Sequence, residues 1–138
     1  MHELLAEKAT TPAAGEDDMA QQLGKMANQY VTMPDGLPIT VSYHFAKRVM
    51  ERNMLPRMVV MMLGLSSLRH RNQLRNMKEG QRVLIRNADG TGMVLAKSTG
   101  QPGWVLLTID PTLTNVGKLT KELPVNVGQV VGRKKPKK

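Results

Sequence analysis

The chain contains no cysteine, which rules out both a disulfide framework and a thiolate metal site. Its histidines stand only at positions 2, 44 and 70, too few and too scattered to suggest zinc, and neither a metal nor another cofactor is expected. Aromatic residues are only 3% of the sequence, and no long basic amphipathic helix with aromatic anchors appears, so a membrane surface is not the expected partner. The longest apolar run, Met58 to Leu63, falls far short of the ~20 residues a membrane span needs. No basic segment leads into an apolar h-region at the start, so no secretory signal is read and a cytoplasmic protein is expected. Acids are sparse after position 36, where Glu51, Glu79, Asp89, Asp110 and Glu122 stand isolated. A two-metal nuclease, which needs several convergent carboxylates, does not fit that pattern. Dinucleotide fingerprint, P-loop and nucleophile elbow are all missing.

What the chain has in quantity is positive charge, and it is unevenly placed. Residues 1–35 carry six acids against Lys8 and Lys25, a net of −4, whereas residues 36–138 carry eighteen Lys and Arg against five acids, a net of +13. A region that basic attracts polyanions, nucleic acid above all. The 138 residues allow one domain of roughly 100 residues with flexible ends. The division expected is an acidic, flexible leader at 1–36, a basic α+β domain at 37–131 and a disordered Lys/Arg-rich tail at 132–138. Helical patches at Leu4–Lys8 and Met19–Ala27 are expected to add little to a core, and the acidic leader is able to fold back over the basic domain and compete with nucleic acid.

Within the domain, Ile39-Thr40-Val41 is β-prone and Ser42 is a good N-cap for a helix over Tyr43–Asn53. Pro56 suits the first position of a second helix, whose Met58–Leu63 segment is apolar all round, and Gly64 marks its end or a close crossing. The eleven methionines read as adaptable core filler. Leu68–Lys78, strongly basic, either extends that helix or forms the loop after it. From Gln81 the pattern becomes strands. Arg82–Asn87 alternates, with Val83 and Ile85 on one side and Arg82, Leu84 and Arg86 on the other, Ala88-Asp89-Gly90 turns, and Thr91–Ser98 returns. In Trp104–Asp110 the alternation predicts Val105, Leu107 and Ile109 inward and Trp104, Leu106, Thr108 and Asp110 outward. A last strand is expected within Val125–Val131. The fold class is therefore α+β, with two N-terminal helices packed on a small antiparallel sheet.

The segment Ser42–Asn53 carries the functional signal. On a helix, His44, Arg48 and Arg52 share one stripe at i, i+4 and i+8, beside an apolar face of Phe45, Ala46, Val49 and Met50. His44 lies in the first turn, where the positive end of the helix favours a neutral imidazole able to act as a base. Metal-free RNA cleavage needs such a base, an acid for the leaving oxygen and cations for the phosphorane. His44, Arg48, Arg52 and His70 are the catalytic candidates. Arg69, Arg71, Arg75, Arg82, Arg86, Lys97 and Trp104 are the candidates for binding nucleic acid, Trp104 by stacking a base.

The run Ser42-Tyr43-His44-Phe45-Ala46-Lys47-Arg48-Val49-Met50-Glu51-Arg52, followed by Val59 and a second helix, resembles the His-x-x-x-Arg-x-x-x-Arg helix of the RegB-type phage endoribonucleases. It is also similar to the wider RelE-like toxin fold, and the likeness covers about residues 39–110. The resemblance implies metal-independent cleavage of mRNA by 2′-hydroxyl transesterification, leaving a cyclic phosphate, with His44 in the place of the functional histidine. It further implies a small phage or bacterial protein, monomeric and in a ribosome-associated setting. The family's second histidine aligns with Gly64, and His70 stands six residues later. Two other readings stay open: a non-enzymatic nucleic-acid-binding regulator, and a basic structural protein of a ribonucleoprotein.

Overall fold

Ala20, Leu23 and Ala27 recur at helical spacing, and helix α1 (Ala14–Tyr30) buries them against the rest of the core, with Val31 buried just after its end. Glu16 and Asp17 in its first turn complement the helix dipole. The computed structural model describes residues 14–114 and 121–132. Within that span the boundary expected at 36 is corrected, because residues 14–33 belong to the domain rather than to a flexible leader. The stripe is built of alanines around one leucine, so it reads weakly in sequence, yet Leu23 is 1% exposed. Burying such a side chain is worth ~1.5–3 kcal/mol. The rest of the expected leader (1–13) and the tail at 133–138 lie outside the described residues.

The chain then runs β1 (Ile39–Val41), α2 (Tyr43–Glu51), α3 (Pro56–Arg69), a short α4 (Arg71–Arg75), β2 (Arg82–Asn87), β3 (Gly92–Lys97), β4 (Trp104–Asp110) and β5 (Lys121–Val125). The architecture is α+β, with the N-terminal helices packed on a five-stranded sheet of order β1-β4-β3-β2-β5. The sheet is mixed, not antiparallel as expected. β2, β3 and β4 form the antiparallel meander, while β1 joins β4 and β5 joins β2 in parallel. Three residues of β1 are enough because Asn28 on α1 serves the strand's free edge. Its amide donates to the carbonyl of Ile39 and its oxygen accepts from the Ile39 amide, both at 2.8 Å.

Local signals account for the helix ends. Ser42 caps α2, its hydroxyl accepting the Phe45 amide at 3.0 Å. Asn53, left-handed at φ 52°, stops the chain after it. Pro56 opens α3 as expected. That helix runs through Gly64 to Arg69, and the basic stretch beyond it forms α4 rather than a loop. Of the apolar run, Val59, Val60, Met62 and Leu63 are buried but Met61 is 50% exposed.

The last two strands differ from expectation for identifiable reasons. In β4, Trp104, Leu106 and Ile109 are the buried residues. The register slips between Val94 and Leu95, so that Leu95 faces Leu106 while Val94 faces Thr108. Leu107 is the extra residue of this bulge, which inverts the alternation half-way along the strand. The free carbonyl of Leu107 accepts the Ser42 hydroxyl at 3.1 Å, tying the bulge to the cap of α2. β5 ends at Val125, where the expected strand was to begin. The following segment is instead held by the β2–β3 hairpin. Asn87, 1% exposed, accepts from the Val127 amide and donates to the Gly128 carbonyl, and Asp89 accepts from the Val130 amide.

Candidate functional site

The cap that starts α2 also sets its rotation, and so the direction of its charged stripe. β1 covers β4 only as far as Leu106. Past that point Ser42 takes over the contact, its amide donating to the Leu106 carbonyl. The stripe then lies along the remaining part of β4. His44 Nε2 is 3.1 Å from Thr108 Oγ1, and Arg52 Nε donates to Asp110 Oδ1 at 3.1 Å. Arg48, between them, approaches Glu51 at 3.8 Å. His44 is exposed, whereas the apolar side of the helix puts Phe45, Ala46 and Val49 into the core. The expected spacing thus does bring one imidazole and two guanidinium groups to a single edge. Sequence reading missed Thr108 and Asp110. Both were expected outward on β4, but nothing local to them pointed to α2.

His70 lies elsewhere. It stands at the junction of α3 and α4, with Nε2 donating to the Pro124 carbonyl of β5 at 2.8 Å. β5 and β4 are separated by β2 and β3, three strand spacings or ~14 Å. Two imidazoles held against those strands cannot both touch one phosphate. A carbonyl only accepts, so this bond also commits His70 Nε2 as a donor. The hydroxyl of Thr108 can donate or accept, so His44 keeps both tautomers open.

The residues expected to bind nucleic acid divide into three groups. Arg69, Arg71, Arg75 and Arg82 are exposed, and among the described residues none has a carboxylate within ion-pair distance. Arg86 is engaged, donating to the Gly90 carbonyl at 3.0 Å with Glu122 at 3.7 Å. Lys97 and Trp104 belong to the fold. Trp104, expected to face outward and stack a base, is fully buried, its indole N–H donating to Asp35 Oδ1 at 3.0 Å. The bulge at Leu107 is the reason, since it leaves Trp104 and Leu106 on the helix side. Gly103, at φ 136°, lets the Pro38 carbonyl come close enough to accept from the Trp104 amide. Lys97 lies 4.5 Å from the centre of the indole ring and also pairs with Asp35.

Among the described residues two acids are perturbed, and both are structural. Burial alone would raise the Asp35 carboxyl, but hydrogen bonds from Lys97, Trp104 and the Leu37 amide, together with the Lys97 charge, hold it below the usual carboxylate value. Burial likewise opposes the charge on Asp89, where the Val130 amide, the Asn87 side chain and the Thr91 amide outweigh it. Among the described residues no group of three or more His, Asp or Glu gathers as a metal site. Nor is any described helix long and apolar enough to cross a membrane. No family model, curated protein or solved structure matches the chain.

Proposed function

We propose that the protein binds RNA and cleaves it at the α2–β4 edge by metal-independent attack of the ribose 2′-hydroxyl. One observation carries this reading: an exposed first-turn imidazole, His44, lies against the Thr108 hydroxyl on a stripe shared with Arg48 and Arg52. His44 takes the 2′-hydroxyl proton, the 2′-oxygen attacks phosphorus, and Arg48 and Arg52 offset the charge of the phosphorane. The 5′-oxygen leaves with a proton from water, and a cyclic phosphate remains. With one proton-transfer group at the edge, the expected acceleration from acid–base catalysis is ~10²–10⁴-fold. Helices preceding the antiparallel β2–β3–β4 meander support a RelE/RegB-like assignment. The partner is RNA, mRNA by the same resemblance, and the setting a phage or bacterial cytoplasm.

A second reading, a regulator that binds nucleic acid without cutting it, is favoured by the Arg52–Asp110 pair. It occupies one of the two guanidinium groups with a carboxylate of the chain itself. Digestion of RNA in EDTA, wild type against His44→Ala, decides between them. A cyclic-phosphate product that disappears with His44 supports the enzyme. Salt-dependent binding with no product supports the regulator.

A further inference from the structure

A groove of about 460 Å³ opens between the end of α1 and the outer side of α3, away from the His44 edge. Its walls include Tyr30, Met61 and Leu68, which are 71%, 50% and 71% exposed, with Arg71 among the lining residues. Gly64 lies on its floor in mid-helix. A Cβ there would meet only Val31 Cγ2 at an ordinary 3.5 Å, so packing does not demand glycine. Glycine inside a helix nevertheless costs ~1 kcal/mol relative to alanine. What its absent side chain provides is depth to the groove.

We infer that the groove receives the chain's own N-terminal segment Glu3-Leu4-Leu5-Ala6-Glu7. Reach allows it. α1 begins at Ala14 and is about 24 Å long at 1.5 Å per residue, with Tyr30 at the groove. The ten residue steps from Leu4 to Ala14 span up to ~33 Å. Chemistry matches too: Leu4 and Leu5 suit a wall of Met, Leu and Tyr, and flanking Glu3 and Glu7 suit Arg71. Docking there covers Arg71 beside the exposed Arg69 and Arg75, and so sets the segment in competition with RNA. Only that competition rests on the RNA-binding reading.

The absence of cysteine makes a direct test possible. A nitroxide on Ala6→Cys of the full chain is the only label it can carry. In ¹⁵N-labelled protein, the amides of Thr32, Met61, Gly64 and Leu68 should lose most of their intensity. Gly64→Leu, which fills the floor, and Leu68→Glu, at an exposed position that leaves folding intact, should each restore it. Excess oligouridylate should restore it as well. Broadening that is absent, or spread evenly over the surface, overturns the docking. Broadening seen only when spin-labelled ¹⁴N protein is mixed with unlabelled ¹⁵N protein assigns the groove to a second copy and overturns docking in the same chain. Oligouridylate that binds yet leaves the broadening unchanged overturns the competition. Broadening that persists because oligouridylate does not bind upholds the docking and removes the RNA-binding reading instead.

Discussion

The two histidines among the described residues sit near opposite sides of one sheet, and the contrast between them separates a chemically available group from an anchored one. Each makes a hydrogen bond through Nε2 at a helix end. His44 meets a hydroxyl on β4 that accepts either tautomer, with Arg48 and Arg52 along the same stripe. His70 meets a backbone carbonyl on β5, which fixes a proton on Nε2 and ties the α3–α4 junction to the strand. The β5 side also carries the Asn87–Asp89 clamp on residues 127–130. On the β4 side Ser42 and the apolar face of α2 anchor the helix, while the charged stripe itself meets the strand only through the exposed Arg52–Asp110 pair and the His44–Thr108 contact. A match of residue type would treat the two imidazoles alike, but the partner atom distinguishes them.

The contrast can be broken at several points. The largest effect is expected from His44→Ala, which should slow RNA cleavage by about 10²-fold, or ~2.7 kcal/mol of barrier, with an unchanged melting midpoint. Wild-type cleavage by this variant would end the catalytic reading of the β4 edge. Asn87→Ala should be close behind, but in stability. It strands the Val127 amide and the Gly128 carbonyl, and denaturant titration should show a loss of ~2–3 kcal/mol. A loss below that of an ordinary surface change would mean that the clamp holds nothing.

His70→Ala should cost ~1 kcal/mol, one hydrogen bond, and leave cleavage per folded molecule intact. A rate falling as far as in His44→Ala would contradict the ~14 Å separation. The acids give a pH test with a definite sign. Asp35 and Asp89 both have carboxyls lowered by folding. Their stabilisation is complete above the unfolded value of ~3.9 and is lost as pH falls through the lower folded values. Melting followed from pH 6 to pH 2 should therefore drop steeply below pH 4, and less so in Asp89→Asn. The smallest effect belongs to Arg52→Ala, at most ~1 kcal/mol in stability because the pair with Asp110 is exposed. RNA affinity should nonetheless fall and its salt dependence weaken, as measured by fluorescence anisotropy.

Much of this was legible along the chain because the signals are local. Ser42, Asn53 and Pro56 mark helix boundaries through their own backbone and side-chain preferences. The i, i+4, i+8 spacing of His44, Arg48 and Arg52 needs only the pitch of a helix. The Ala88-Asp89-Gly90 turn likewise marks the end of β2 without reference to distant residues, whereas its burial does not alternate, Leu84 being buried as well as Val83 and Ile85. Helix α1 was under-read because two of the three buried residues on its stripe, Ala20 and Ala27, are alanine, whose individual burial energy is small.

The sequence by itself determined the α+β class, the helix that carries His44 and the strongly basic character of the region after position 36, since each follows from composition or short-range periodicity. Only the tertiary structure decided which groups meet. One inserted residue at Leu107 turned Trp104 from an expected base-stacking surface into core. Strand order placed His70 three strands from the Thr108 hydroxyl, and parallel pairing brought β1 and β5 to the two edges. Bulges and strand order depend on which backbone groups find partners far away in sequence, and no local propensity encodes that choice.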